Sequence, residues 1–208
     1  VMFKHAVLIG DSITGGTNAI SSYDKLFGYQ LSKLSGVRLY DLSVSGSRVC
    51  RRPNFPKAAG SAGLRDKAIT VNNVWGDTVT VMQGINDLQT SSIPKIISEF
   101  KYFCEYVMKD AGIPKTVVIV TPVSTVGELV SRPNVVDLRA GLVTMVAQLH
   151  AGFLAGKYVS DIKLIDGTTI SDCNNPANMD DGDHRSEAGH LDMAVNMYAK
   201  MQALGLWA

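Results

Sequence analysis

Two short segments at opposite ends of the chain carry the residue types of nucleophilic catalysis. Gly10-Asp11-Ser12-Ile13-Thr14-Gly15-Gly16 follows an apolar run and sets a serine in a glycine-bounded turn. A serine hydroxyl is a weak nucleophile until a base removes its proton, and such a turn presents backbone N–H groups to an oxyanion. Near the far end, Asp181-Gly182-Asp183-His184 places an aspartate three residues before a histidine. That spacing lets a loop carboxylate accept the Nδ1 proton while Nε2 serves as base. Each segment alone has a plainer reading, since serine and glycine after a strand make turns and an acidic loop often precedes a helix.

Two more segments supply hydrogen-bond donors. Asn86, in Gly84-Ile85-Asn86-Asp87, has a side-chain amide able to reach a tetrahedral intermediate, where one donor is worth ~10²–10³ in rate. Gly46, in Ser43-Val44-Ser45-Gly46-Ser47, offers a backbone N–H unobstructed by a Cβ. Just beyond it stand Arg48, Arg51 and Arg52. One of these is expected to meet an anionic acceptor by a bidentate contact, the alternative being a solvated basic loop.

Elements that place these segments are readable from periodicity. Five apolar runs of strand length occur at 5–9, 38–44, 78–83, 116–121 and 161–165, most of them rich in Val, Ile and Leu. Segments of helical period lie at 23–34, 93–111, 135–154 and 186–204, with a further helix near 64–73. The alternation predicts an α/β chain folded as a three-layer α/β/α sandwich, with a doubly wound sheet of about five parallel strands. Active residues belong at the strand C-terminal ends, where all four chemistry-bearing segments fall. The stretch from Arg51 to Gly76, with Pro53, Pro56, Gly60 and Gly63, reads as a long surface loop before and around the helix near 64–73.

Composition narrows the classes. With 208 residues, 46% hydrophobic and 19% charged, and a formal net charge of +1, the chain reads as one globular domain. Basic residues are too scattered for nucleic acid, and no apolar stretch approaches the ~20 residues of a membrane span. Cys50, Cys104 and Cys173 are odd in number and widely spaced, which indicates neither a disulfide framework nor a zinc knuckle and leaves the compartment open. A chain that starts at Val1 and runs at once into a strand suggests a domain cut from a longer polypeptide or a processed product.

Taken together, Gly-Asp-Ser near the start, a glycine after the second strand, Gly-x-Asn-Asp after the third and Asp-x-x-His near the end resemble the SGNH, or GDSL-type, serine hydrolases. The resemblance runs through the whole chain in order. It implies a flavodoxin-like fold, with Ser12 as nucleophile, His184 as base and Asp181 as its orienting carboxylate. It implies oxyanion donors at the Ser12 backbone, Gly46 and Asn86, and acyl transfer through an acyl-enzyme with no metal or organic cofactor. Arg185 stands where the family often has proline. The substrate expected is a small ester, acetyl above long acyl, with carbohydrate O-deacetylation as the candidate reaction. The readings set against it are a lipase or thioesterase of the same family, a non-catalytic carbohydrate-binding module, a flavin-binding protein, and a metal site from Asp181, Asp183, His184 and His190.

Overall fold

The computed structural model of the chain describes residues 4–17, 20–50, 63–73, 76–110 and 115–207. Five parallel strands, β1 (His5–Gly10), β2 (Arg38–Asp41), β3 (Thr78–Met82), β4 (Thr116–Val120) and β5 (Ile162–Ile165), form one sheet in the order β2-β1-β3-β4-β5. This is the flavodoxin-like order, and its direction of winding reverses between β1 and β3. The gap at that reversal, outside the strand C-termini, is where such sheets bind ligands.

Side-chain alternation along the strands builds a core on each face. Val7, Ile9, Val79, Val81, Val117 and Ile119 pack with helices α3 (Leu64–Asn73), α4 (Ile93–Lys109) and α6 (Val135–Leu154). Ala6, Leu8, Val118 and Val120 pack with α2 (Phe27–Ser35) and α7 (Glu187–Ala203). Both faces are covered, which explains why these strands read as near-continuous apolar runs.

Three local features differ from the periodicity. Serine 12 opens a short helix, α1 (Ser12–Gly15), where the sequence suggested a turn. The helix expected from residue 23 begins at Phe27, after a 3-10 turn at Tyr23–Lys25, because the Phe27 N–H is taken by His190 Nδ1 at 2.9 Å. A four-residue helix, α5 (Glu128–Ser131), lies between β4 and α6 and is too short to show a period. The expected helix at 64–73 is present, whereas residues 51–62 of the expected long loop lie outside the described residues.

Candidate active site

Ser12 sits two residues past the end of β1, with Asp11 between them. Asp11 caps α1, its carboxylate accepting the Ile13 N–H at 3.0 Å, and the Thr14 hydroxyl donates to the Asp11 carbonyl at 2.9 Å. Ser12 is therefore the first helical residue, a position whose backbone N–H has no acceptor within the helix. Burial pushes the Asp11 carboxyl up to about 6, against the pull of the Ile13 N–H and of Lys67. The turn is tight: a Cβ on Gly10 would collide with the Thr14 side chain.

The loop after β5 brings the histidine to the serine. The His184 Nδ1 lies 2.8 Å from Asp181 Oδ2, and its Nε2 lies 3.0 Å from Ser12 Oγ. A nitrogen that close to a carboxylate carries the proton, so Nε2 is left as acceptor for the serine hydroxyl. The other oxygen, Asp181 Oδ1, accepts the backbone N–H groups of Asp183 and His184, both at 2.7 Å. These contacts, the imidazole first, hold the Asp181 carboxyl down to about 2. The chain thus assembles hydroxyl, imidazole and carboxylate in line, the geometry of proton removal from an alcohol.

The two further candidate donors follow the neighbouring strands β2 and β3. Gly46 turns with φ +71°, a conformation L side chains rarely adopt, in the loop after β2. The Asn86 side chain follows β3 and gives one N–H to the Ser47 carbonyl at 3.1 Å, which leaves its second N–H free of that contact. Below them, the Gly10 carbonyl accepts from Ser47 Oγ and Gln83 Nε2, both at 2.8 Å, tying together the ends of β1, β2 and β3. Asp87 is fully buried and accepts the N–H groups of Val49 and Cys50, each at 2.8 Å. Burial raises its pKa, and those two N–H groups offset part of that cost.

Of the three arginines, Arg48 is half-buried and donates to the Thr90 hydroxyl, while Arg51 and Arg52 lie outside the described residues. The four residues weighed as metal ligands do not converge. His190 is buried with Nδ1 on the Phe27 N–H, and Asp183 is forked to Arg132. Among the described residues no three His, Cys, Asp or Glu side chains are grouped to hold a metal ion. Burial lowers the His190 pKa to about 4, with the Arg185 charge adding to it.

Residues the motifs did not single out for a role also shape the site. Arg185, the residue after the histidine, is buried; it donates to the Ser124 carbonyl at 2.5 Å and to Ser171 Oγ at 3.1 Å. It thereby anchors the loop where the family often has proline. Arg132, Gln83, Asp87 and His190 have no local pattern that would mark them, except that Asp87 ends the Gly-x-Asn-Asp block.

The family model for GDSL-like lipases and acylhydrolases matches residues 8–191, from the first strand through the loop that carries His184. The chain belongs to this family. It is a serine hydrolase. No curated protein sequence matches the chain. Among solved structures, it is similar to Est24, a carbohydrate acetylesterase from Sinorhizobium meliloti, at 17% identity and TM-score 0.73, covering 97% of this chain and 99% of that one. It is similar to the aryl esterase of M. smegmatis at 19% identity and TM-score 0.72, over 97% and 99% of the two chains. The salicylyl-acyltransferase SsfX3 of a tetracycline biosynthetic pathway aligns at 16% identity and TM-score 0.76, and this GDSL-like chain spans 99% of itself but 56% of that protein. At such identities the likeness is one of fold. Among the described residues of this hydrolase no helix is long and apolar enough to cross a membrane.

Proposed function

We propose that this GDSL-like hydrolase removes a small acyl group, acetyl above longer chains, from a hydroxyl of a carbohydrate. The observation that carries the reading is the Ser12–His184–Asp181 line, with contacts of 3.0 and 2.8 Å. His184 Nε2 takes the Ser12 proton as Oγ bonds to the ester carbonyl carbon. The Ser12 and Gly46 N–H groups and the Asn86 amide hold the oxyanion, and the imidazolium returns its proton to the departing sugar oxygen. Water, deprotonated by the same imidazole, then releases the acid and restores the serine.

A pocket supports the carbohydrate part of the reading. It has a volume of about 340 Å³ and is lined by Ser124 and Ser171, both bonded by Arg185, with Thr168, Asp172, Asn174 and Asn196 among others, side chains suited to sugar hydroxyls. The named neighbours include a carbohydrate acetylesterase, which agrees with this reading.

The test compares p-nitrophenyl acetate, butyrate and octanoate as substrates for the wild type, Ser12→Ala and His184→Ala, followed by release of acetate from acetylated glycans. Loss of turnover in both variants with an acetate preference is the expected result. Turnover that survives in Ser12→Ala overturns the mechanism, and an octanoate preference overturns the acyl class.

A further inference from the structure

The residues proposed to activate the serine stand on an exposed loop. The side chain of Asp181 is 56% exposed and that of His184 28%. Within the loop, Asp181 Oδ1 gathers two N–H groups and the Asp180 N–H donates to the His184 carbonyl at 3.0 Å. Those bonds close the loop on itself without attaching it to the body of the protein. Surface loops wander unless tied down, and a displaced imidazole no longer reaches the serine.

Attachment comes from the segment between β4 and α6. The Val126 N–H donates to the Gly182 carbonyl at 2.9 Å, and Arg185 reaches back to the Ser124 carbonyl. Arg132, at the end of α5 and mostly buried, makes two parallel bonds to Asp183, Nη1 to Oδ1 and Nη2 to Oδ2, both 2.6 Å. The segment is itself fastened to α6. Arg139 forks onto Glu128 with two bonds of 2.8 Å and donates to the Pro122 carbonyl at 3.0 Å, while Glu128 accepts the Thr125 N–H at 3.1 Å. Two forked ion pairs, Arg139 with Glu128 and Arg132 with Asp183, joined through the backbone of α5, therefore link the long helix α6 to the residue next to His184.

We propose that Arg132 is a positioning residue for His184, acting through Asp183. The proposal rests on the reading of Ser12, His184 and Asp181 as the reacting groups. Arg132 does two things. The planar fork fixes the direction of the loop at Asp183, which a single ammonium cannot do. Its charge also cancels a second carboxylate beside the imidazole. The charged groups that face His184 are Asp181 and Asp183 from its own loop, with Arg132 on the latter, and Asp11 from the β1–α1 turn; Arg185 adjoins it in sequence. Unpaired, the Asp183 carboxylate would favour the imidazolium through its charge.

The experiment measures kcat, KM and their pH dependence on p-nitrophenyl acetate for Arg132→Gln, Arg132→Lys and Arg132→Gln/Asp183→Asn, beside wild type and Ser12→Ala. Arg132→Gln is expected to lower kcat about 10–100-fold with KM little changed, the scale of a misplaced catalytic group. Its acidic limb moves to higher pH by about 0.5–1 unit, the effect of one uncompensated charge in a well-solvated loop. Arg132→Lys keeps the charge and leaves the limb in place, yet loses part of kcat with the fork. The double variant returns the limb to the wild-type pH without restoring kcat. A structural role alone would not produce that reversal.

Arg132→Gln with wild-type kcat and limb overturns the proposal, as does a loss of kcat that disappears when the assay is run well below the variant's Tm. If glutamine unfolds the protein, the lysine variant decides, and unchanged kcat there overturns it. NMR titration of the His184 imidazole in the same variants reads the charge effect without turnover. Activity that persists in Ser12→Ala removes the reading of the site, whereas Ser12-dependent activity indifferent to Arg132 removes this proposal alone.

Discussion

Replacement of Asp87 by alanine tests whether a buried carboxylate holds the loop that carries Gly46. Asp87 is fully buried and takes the Val49 and Cys50 N–H groups at 2.8 Å each. Alanine orphans both donors in a site closed to water, at about 1–3 kcal/mol apiece. Burial raises the Asp87 pKa, so the ionised carboxylate is itself held at a cost that its removal recovers. The expected loss is therefore in the lower part of the summed range, about 2–4 kcal/mol. Asparagine keeps one acceptor oxygen and should lose about half as much. Urea unfolding followed by fluorescence and far-UV circular dichroism gives the difference, provided the slope is unchanged. Residues 46–50 should shift in Asp87→Ala, and with them Gly46 and the Ser47 carbonyl that holds Asn86, so kcat on a simple ester falls while KM changes little. A variant within about 0.5 kcal/mol of wild type would refute the claim that the two N–H groups depend on Asp87. A destabilised variant with wild-type kcat would refute the link from Asp87 to the oxyanion donors.

Asp181→Asn should leave unfolding nearly unchanged because the side chain is exposed, yet lower kcat/KM by about 10²–10⁴ as the imidazole loses its acceptor and its tautomer; a loss under about threefold would deny Asp181 its role. His190 is neutral when folded, with its pKa lowered to about 4 by burial. Its contribution is present in full above the unfolded value of about 6.5 and is lost as pH falls through about 4, an acid-side penalty of about 3 kcal/mol. His190→Gln keeps an acceptor for the Phe27 N–H without titrating, so its stability relative to wild type should rise between pH 7 and pH 4 in urea titrations; a constant difference would contradict the assignment. Gly189→Ala normally gains about 1 kcal/mol of helix propensity, but here the added Cβ would run into the Asn178 carbonyl. Overpacking of about 1–3 kcal/mol should win, lowering the Tm, and a higher Tm would show that the carbonyl yields.

Much of this molecule is written in short range. A strand buried on both faces must be apolar along its length, so β1, β3 and β4 were legible from their apolar runs, whereas the edge strand β2, Arg38–Asp41, is mostly exposed and carries polar residues. A serine nucleophile needs a turn at a strand end and a histidine base needs an orienting carboxylate nearby, so Gly10-Asp11-Ser12 and Asp181-x-x-His184 are local patterns. Tertiary structure decided what lies between them. Ser12 and His184 are 172 positions apart and meet at 3.0 Å because the parallel sheet turns the loops after β1 and β5 to one edge. Arg132 lies 51 positions from Asp183 and Asp87 38 from Val49, and neither offset follows any helical or strand period. Asp87 and Arg132 gain their meaning only when folding removes water from charges and N–H groups that must then find partners in whatever chain arrives beside them.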